Sequence, residues 1–162
     1  MSGTGLFTTS TGAVESHYFL LTPTSAGGAF DRSDWTVSAT ESSPTDPPAN
    51  AIDGSLNTRF STGAAQHDSQ GFFVSWPGDR TIARIRMDVG PSVNDFPRTC
   101  GIWVKDTAGN VTFVNCQPDA SGVVDVSFAP VAVQRIEVWQ WGATTWWWSI
   151  AEFNVFSPAT AP

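Results

Sequence analysis

The segment TIARIRMDV, residues 81–89, constrains this chain most, because apolar and polar residues alternate along it with a period of two. Successive side chains of a strand point to opposite faces, so alternation describes a strand with one face on a core and one toward solvent. Its apolar members Ile82, Ile85 and Met87 are offset by one step. Similar short stretches recur as WTVSA, GFFVSW, CGIWV, VTFVN, VVDVSFAPV, VQRIEVWQW and IAEFNVF. Turn-forming clusters separate them, among them TESSPTDPPA, PGD, GPSVNDFPR and PDASG. No stretch sustains apolar residues at i, i+3, i+4 and i+7, and the abundance of Ser, Thr, Val, Phe and Trp suits strands. About eight strands at this spacing predict an all-β sandwich or jelly roll. A chain of 162 residues reads as one domain, with a core large enough to need no staples.

Charge narrows the partners. Eight Lys and Arg against 15 Asp and Glu leave a net charge of −7. Nucleic-acid binding rests on cations that neutralise phosphates, and anionic lipid surfaces attract cations too, so both are disfavoured as partners. Neutral or cationic ligands fit. No apolar run is long enough to span a bilayer. The opening MSGTGLFTTSTGAVESHYFLL lacks the charged and apolar regions of a signal peptide. A cytosolic protein, a mature form and a piece of a longer secreted protein all remain open. Residues 1–30 read as a flexible extension around one apolar patch, HYFLL, which could add an edge strand or cover the core.

The two cysteines, Cys100 and Cys116, flank GIWVKDTAGNVTFVN. DTAGN reads as a turn, and the flanks alternate as in a hairpin. If Lys105 faces Val111, then Trp103 faces Phe113 and Cys100 faces Cys116. Directly opposed residues have close Cβ atoms, so a cross-strand disulfide is geometrically possible. Two buried free thiols are the alternative. The spacing does not suit zinc.

Five of the eight tryptophans fall within WQWGATTWWW. Neither a strand nor a helix can point three consecutive side chains one way, so Trp146, Trp147 and Trp148 diverge. In RIEVWQWG, Ile136 and Val138 share one face while Arg135, Glu137, Trp139 and Trp141 share the other, which reads as the outward one. A hairpin through GATT would oppose Trp141 to Trp146 and Trp139 to Trp148. In a jelly roll, however, consecutive strands often lie in different sheets.

WTVSATESSPTDPPANAIDGSLNTRFSTG, then NDFPR, then WWWSIAEFNVF together resemble the coagulation factor 5/8 type C (discoidin) domain. The chain is most similar to the sugar-binding branch of that group, carbohydrate-binding module family 32. The likeness runs from Asp31 to Ser157, leaving residues 158–162 as a tail. Phe60 stands where the family usually has Trp, and FFVSWPGD where it often has an Asp-Leu-Gly turn. Both departures are compatible with the fold.

The resemblance implies a discoidin-like, eight-stranded β-sandwich with one structural calcium ion, in an extracellular or cell-surface protein. Calcium takes several oxygen ligands. NAIDGSLNT offers Asp53 and Thr58 around a glycine turn, with the carbonyls of Asn50 and Ser55 nearby, and the family pattern adds the Ala151 carbonyl and the Glu152 carboxylate. The alternative is that Asp53 caps a turn and Glu152 is solvated.

Family ligands bind at the loop-bearing rim, here ATESSPTDPP, STGAAQHDSQG, GPSVNDFPR and GATTWWW. They span galactose, N-acetylated hexosamines and polysaccharides, and acidity would suit a partly cationic glycan such as chitosan. A sugar site needs an apolar platform with a few placed polar groups. Trp146 or Trp147 supplies the platform, and Glu41, Gln66, His67, Asn94, Asp95 and Arg98 are the polar candidates. Arg98 and Asp95 stand out, since a guanidinium fork and a carboxylate each engage two neighbouring hydroxyls. An Arg98–Asp95 ion pair is the plainer alternative, and a solvated His67 another.

No nucleophile elbow, phosphate loop or zinc-type His cluster appears. Nothing sets Asp46 against Glu41, or Asp68 against Asp95, across a cleft as a glycosidase requires. The expectation is therefore a non-catalytic lectin or carbohydrate-binding module, with tandem domains or homo-oligomers supplying avidity. The rival is a discoidin-type adhesion module for a protein or membrane partner, though a membrane site lacks its basic residues. An oligomer interface formed by the Trp cluster is a third reading.

Overall fold

The computed structural model describes residues 26–159. Nine strands follow in order: β1 (Ala26–Ala29), β2 (Thr36–Ala39), β3 (Phe60–Ser61), β4 (Gln70–Asp88), β5 (Cys100–Lys105), β6 (Val111–Cys116), β7 (Val124–Gln140), β8 (Ser149–Ile150) and β9 (Glu152–Pro158). A 3-10 turn at Pro48–Ile52 links β2 to β3. The large sheet runs β1-β9-β4-β7-β5-β6 with β2 added beside β4, and β3 pairs with β8 in a separate two-stranded sheet. Within the described residues, no helix is long and apolar enough to cross a membrane. HYFLL lies outside the described residues. The sheet does take in Ala26–Ala29, which pair with β9, ahead of the resemblance boundary at Asp31.

Two pairs of expected short strands are in fact single long ones. GFFVSW and TIARIRMDV form β4, while VVDVSFAPV and VQRIEVWQW form β7. The reason is that the intervening turn chemistry makes bulges and does not end pairing. The β4–β7 ladder shifts register between Ser75 and Arg80, where Gly78 has φ +70°, and again between Ile82 and Arg84. The second shift is the one-step offset of Ile82 against Ile85 and Met87, so all three are buried. Bulges bend and twist a strand pair, and the two halves of the sheet close over one core. Phe72 on the first half of β4 meets Phe153 on β9 with ring centroids 5.7 Å apart. Trp35, Phe60 and Trp148 join that core.

The β5–β6 hairpin has the expected register, with Lys105 opposite Val111, Trp103 opposite Phe113, and Cys100 opposite Cys116. The two cysteines form a disulfide. The Trp hairpin does not form. Trp139 lies between Gly71 and Gly101 in the large sheet, while Ser149, next to Trp148, pairs with Ser61 in the small one. Residues 142–148 therefore cross between layers.

Candidate functional site

The three consecutive indoles diverge, as strand geometry requires. Trp148 is fully buried, and its backbone exchanges hydrogen bonds with Thr62 at 2.9 and 3.2 Å. Trp146 and Trp147 stay 49% and 39% exposed. Gln66 holds the crossing in place. Its amide nitrogen donates to the carbonyls of Phe96 and Trp147 at 2.9 and 2.8 Å, and its oxygen accepts the Arg98 N–H at 3.1 Å. Its own backbone N–H donates to the Trp146 carbonyl. One buried carboxamide thus joins three loops and is itself unavailable to a ligand.

A cleft of about 540 Å³ opens against Trp146 and Trp147, closed on its other side by Ser92, Val93, Asn94 and Asp95. Its floor is an ion pair that sequence reasoning missed. Arg59, at the end of the loop before β3, donates to Asp95 Oδ2 at 2.9 Å and to the Ser92 hydroxyl, with Asp46 3.6 Å away. The guanidinium lies 5.7 Å from the Trp147 ring centroid, within cation–π range. Asp95 is nearly buried and also accepts from the Ser149 hydroxyl at 2.9 Å. The available signal was an arginine directly before the core residue Phe60, in a chain with only eight Lys and Arg.

Arg98 does not pair with Asp95. Its guanidinium stacks 3.7 Å from the Phe96 ring centroid and donates to the Asn94 carbonyl at 2.8 Å. Glu41 and His67 form a separate cluster, with His67 Nε2 3.0 Å from Glu41 Oε1 and the Gln70 amide donating to the same carboxylate. Of the eight sequence candidates, the cleft brings together Asn94, Asp95, Trp146 and Trp147. Gln66 lies beneath it, and Glu41, His67 and Arg98 lie outside its lining.

Of the oxygens expected around calcium, those of Asp53, Ser55, Thr58 and Glu152 meet at the Gly54 turn. Asp53 accepts from the Thr58 hydroxyl at 2.6 Å and from the Ser55 N–H at 2.9 Å, and the Thr58 hydroxyl also reaches the Ser55 carbonyl at 3.1 Å. Glu152 accepts the Gly54 N–H at 2.7 Å. The Asn50 amide is turned to the Arg59 carbonyl at 3.0 Å, and Ala151 follows β8 directly. These hard oxygen donors suit calcium in kind. Against them, the Arg32 guanidinium already pairs with the second oxygen of Glu152.

No family model and no curated protein matches this sequence. Solved structures do match. The family 32 carbohydrate-binding module of C. perfringens NanJ, solved in complex with galactose, aligns with TM-score 0.70 and 27% identity over 80% of this chain and 98% of that one. A second C. perfringens family 32 module, CpGH89CBM32-5, in complex with GalNAc-β-1,3-galactose, aligns with TM-score 0.67 and 19% identity over 80% and 100% of the two chains. A chitosan-binding module of a Paenibacillus chitosanase/glucanase aligns with TM-score 0.62 and 20% identity over 75% and 93%. The described chain therefore has the discoidin-like β-sandwich fold of the family 32 carbohydrate-binding modules.

Proposed function

We propose that this protein is a non-catalytic carbohydrate-binding module whose rim cleft takes a single neutral hexose of the galactose or N-acetylgalactosamine type. The observation that carries the reading is the pairing of exposed indoles with fixed polar groups in one cleft. Trp146 and Trp147 present flat apolar faces to the C–H side of a sugar, while Asn94 and the outer edge of the Arg59–Asp95 pair supply donors and an acceptor. Solved relatives of the same fold carry galactose and GalNAc-β-1,3-galactose, which supports the ligand class. Affinity per site is weak, because one sugar buries little surface, and tandem copies raise avidity. An extracellular or cell-surface setting follows from that ligand class.

A calcium ion at Asp53, Ser55, Thr58 and Glu152, with the Asn50 and Ala151 carbonyls, belongs to the same proposal. It would tie the first loop to β9 and take no part in sugar contact.

The test is a glycan array with the wild type beside Trp146→Ala and Trp147→Ala, folding being checked by circular dichroism. Selective binding lost in one folded variant supports the reading and names the platform. A well-folded wild type that binds no glycan overturns it.

A further inference from the structure

The outer face of the β4-β7-β5-β6 region carries a second aromatic surface, laid out by the strand ladder as a grid. One row across the strands reads Phe73, Glu137, Trp103, Phe113, and the next reads Gly71, Trp139, Gly101, Asn115. The two glycines decide its shape. A Cβ on Gly71 would lie 2.6 Å from the Phe73 ring and 3.0 Å from that of Trp139. On Gly101 it would lie 2.8 Å from both the Trp103 and Trp141 rings. The rings therefore lie down over bare backbone. They touch in series, with centroids 5.2 Å apart for Phe113 and Trp103 and 5.7 Å for Trp103 and Trp141. Phe113 and Trp141 are 57% and 39% exposed.

A hollow of about 450 Å³ lies among these rings and shares no lining residue with the rim cleft. Glu137 is one of three charged groups in its lining, with Asp68 and Lys105. It accepts from Lys105 Nζ at 2.7 Å and from Arg135 Nε at 2.8 Å, and Arg135 in turn packs 5.1 Å from the Phe73 ring centroid. Lys105 and Arg135 keep further N–H donors, and Glu137 keeps its second carboxylate oxygen, apart from one long 3.5 Å contact with the Trp139 indole N–H.

This lining points to one kind of occupant. The core of a protein–protein interface is depleted of charge, whereas here an ion-paired triad sits in the middle of the rings. The hollow's own lining holds the carboxylates Asp68 and Glu137 and the cation Lys105, and Arg135, paired to Glu137 beside it, brings the count to two against two, so the surface suits a neutral ligand. A saccharide needs a flat apolar face for its C–H side together with fixed donors and acceptors for its hydroxyls. Trp141, Trp103 and Phe113, with centroids 5.7 and 5.2 Å apart in turn, offer three rings in contact, more apolar surface than one sugar ring covers.

We propose that this sheet face is a second saccharide-binding surface, which takes an internal stretch of a neutral polysaccharide across Trp141, Trp103 and Phe113. The proposal rests on the carbohydrate reading of the fold and not on the rim cleft. The domain then holds a polymer at one place and a single sugar at another.

The test uses the full chain in four forms: wild type, a rim variant (Trp146→Ala with Trp147→Ala), a face variant (Trp141→Ala with Phe113→Ala), and Glu137→Gln. Folding is checked by circular dichroism, and Trp141→Ala alone replaces the double face variant if that one unfolds. Retention on insoluble cellulose, chitin, xylan and β-1,4-galactan is measured beside calorimetric titration with galactose. The expected result is that wild type and rim variant are retained on at least one polymer. The face variant and Glu137→Gln lose retention on the order of tenfold, with galactose binding unchanged. A folded face variant retained like wild type overturns the proposal, and if the rim variant loses retention the rim reading survives alone. Retention that depends on the face in a protein that binds no galactose keeps the proposal and removes the rim reading. No retention on any polymer overturns the proposal. So does a concentration-dependent dimer in sedimentation velocity that Trp141→Ala abolishes, which would assign the face to a second copy.

Discussion

Arg59 and Asp95 meet at 2.9 Å under the lip of the rim cleft, and through that contact the loop before β3 is tied to the loop after β4. Asp95 extends the tie to β8 through the Ser149 hydroxyl. The carboxylate is nearly buried and keeps little access to water, whereas the Arg59 side chain, 29% exposed at the cleft, can still be hydrated once Asp95 is gone. Asp95→Ala is expected to destabilise the fold by roughly 2 kcal/mol and to weaken sugar binding at the rim, whereas Asp95→Asn, which keeps an acceptor for Ser149, costs less. Urea titration of both variants checks the order.

The Cys100–Cys116 disulfide closes β5 onto β6, which among the described residues pairs only with β5 in the large sheet. With 16 residues of sequence separation, the lost loop entropy of the unfolded chain corresponds to about 3 kcal/mol. The expected outcome is a fall of that order in unfolding free energy on reduction, or in Cys100→Ser with Cys116→Ser. Thiol counting on the unfolded, unreduced protein should find none free. Two free thiols would mean that the bridge is not made.

At the Gly54 turn, Arg32 and a calcium ion would compete for Glu152. Calcium at millimolar concentration is expected to raise the thermal midpoint, and a chelator to reverse the gain. Asp53→Ala should abolish the response. Arg32→Gln should lower the midpoint without calcium and enlarge the response to it. A midpoint indifferent to calcium in both wild type and Arg32→Gln would show that the Gly54 hydrogen bond to Glu152 fastens this loop to β9 without an ion.

Acid should loosen the sheet from two places. Asp125 accepts two hydrogen bonds of 2.6 Å from Arg84 and one of 3.1 Å from Arg86, and the Arg84 contact first of all holds its carboxyl below the ordinary 3.8. Burial pushes the Glu137 carboxyl up, but hydrogen bonds from Lys105 and Arg135 outweigh it and leave it below 4.5. A carboxylate whose pKa is lowered by folding contributes stability above its unfolded value and loses it as pH falls through the folded one. Stability is therefore expected to hold steady from neutrality to about pH 5 and to decline below it, with a shallower decline in Asp125→Asn. Urea midpoints measured from pH 7 to pH 3 test this.

The features legible in the sequence were local. Alternation marked the strands and the one-step offset between Ile82 and Ile85, because side-chain direction is set within two residues; that the offset is a bulge came from the β4–β7 ladder. The hairpin register from Lys105–Val111 to Cys100–Cys116 followed from one turn. The divergence of Trp146, Trp147 and Trp148 followed from backbone geometry alone. Other features needed the folded chain. That PGD bulges and does not end a strand depends on β7 continuing to pair beyond it. That Gln66 is a buried bolt, that Asp95 chooses Arg59 over Arg98, and that Trp139 lies in the large sheet while the chain at Trp148 crosses to the small one depend on segments packed together in space. Gln66 and Trp147 are 81 residues apart, and Arg59 and Asp95 are 36 apart. Turn chemistry and strand period act between neighbours, so the sequence by itself determined which segments are strands and which residues share a face, though not where the long strands end. Partner choice between distant polar groups turns on which ones burial brings within hydrogen-bond reach, and only the tertiary structure decided that.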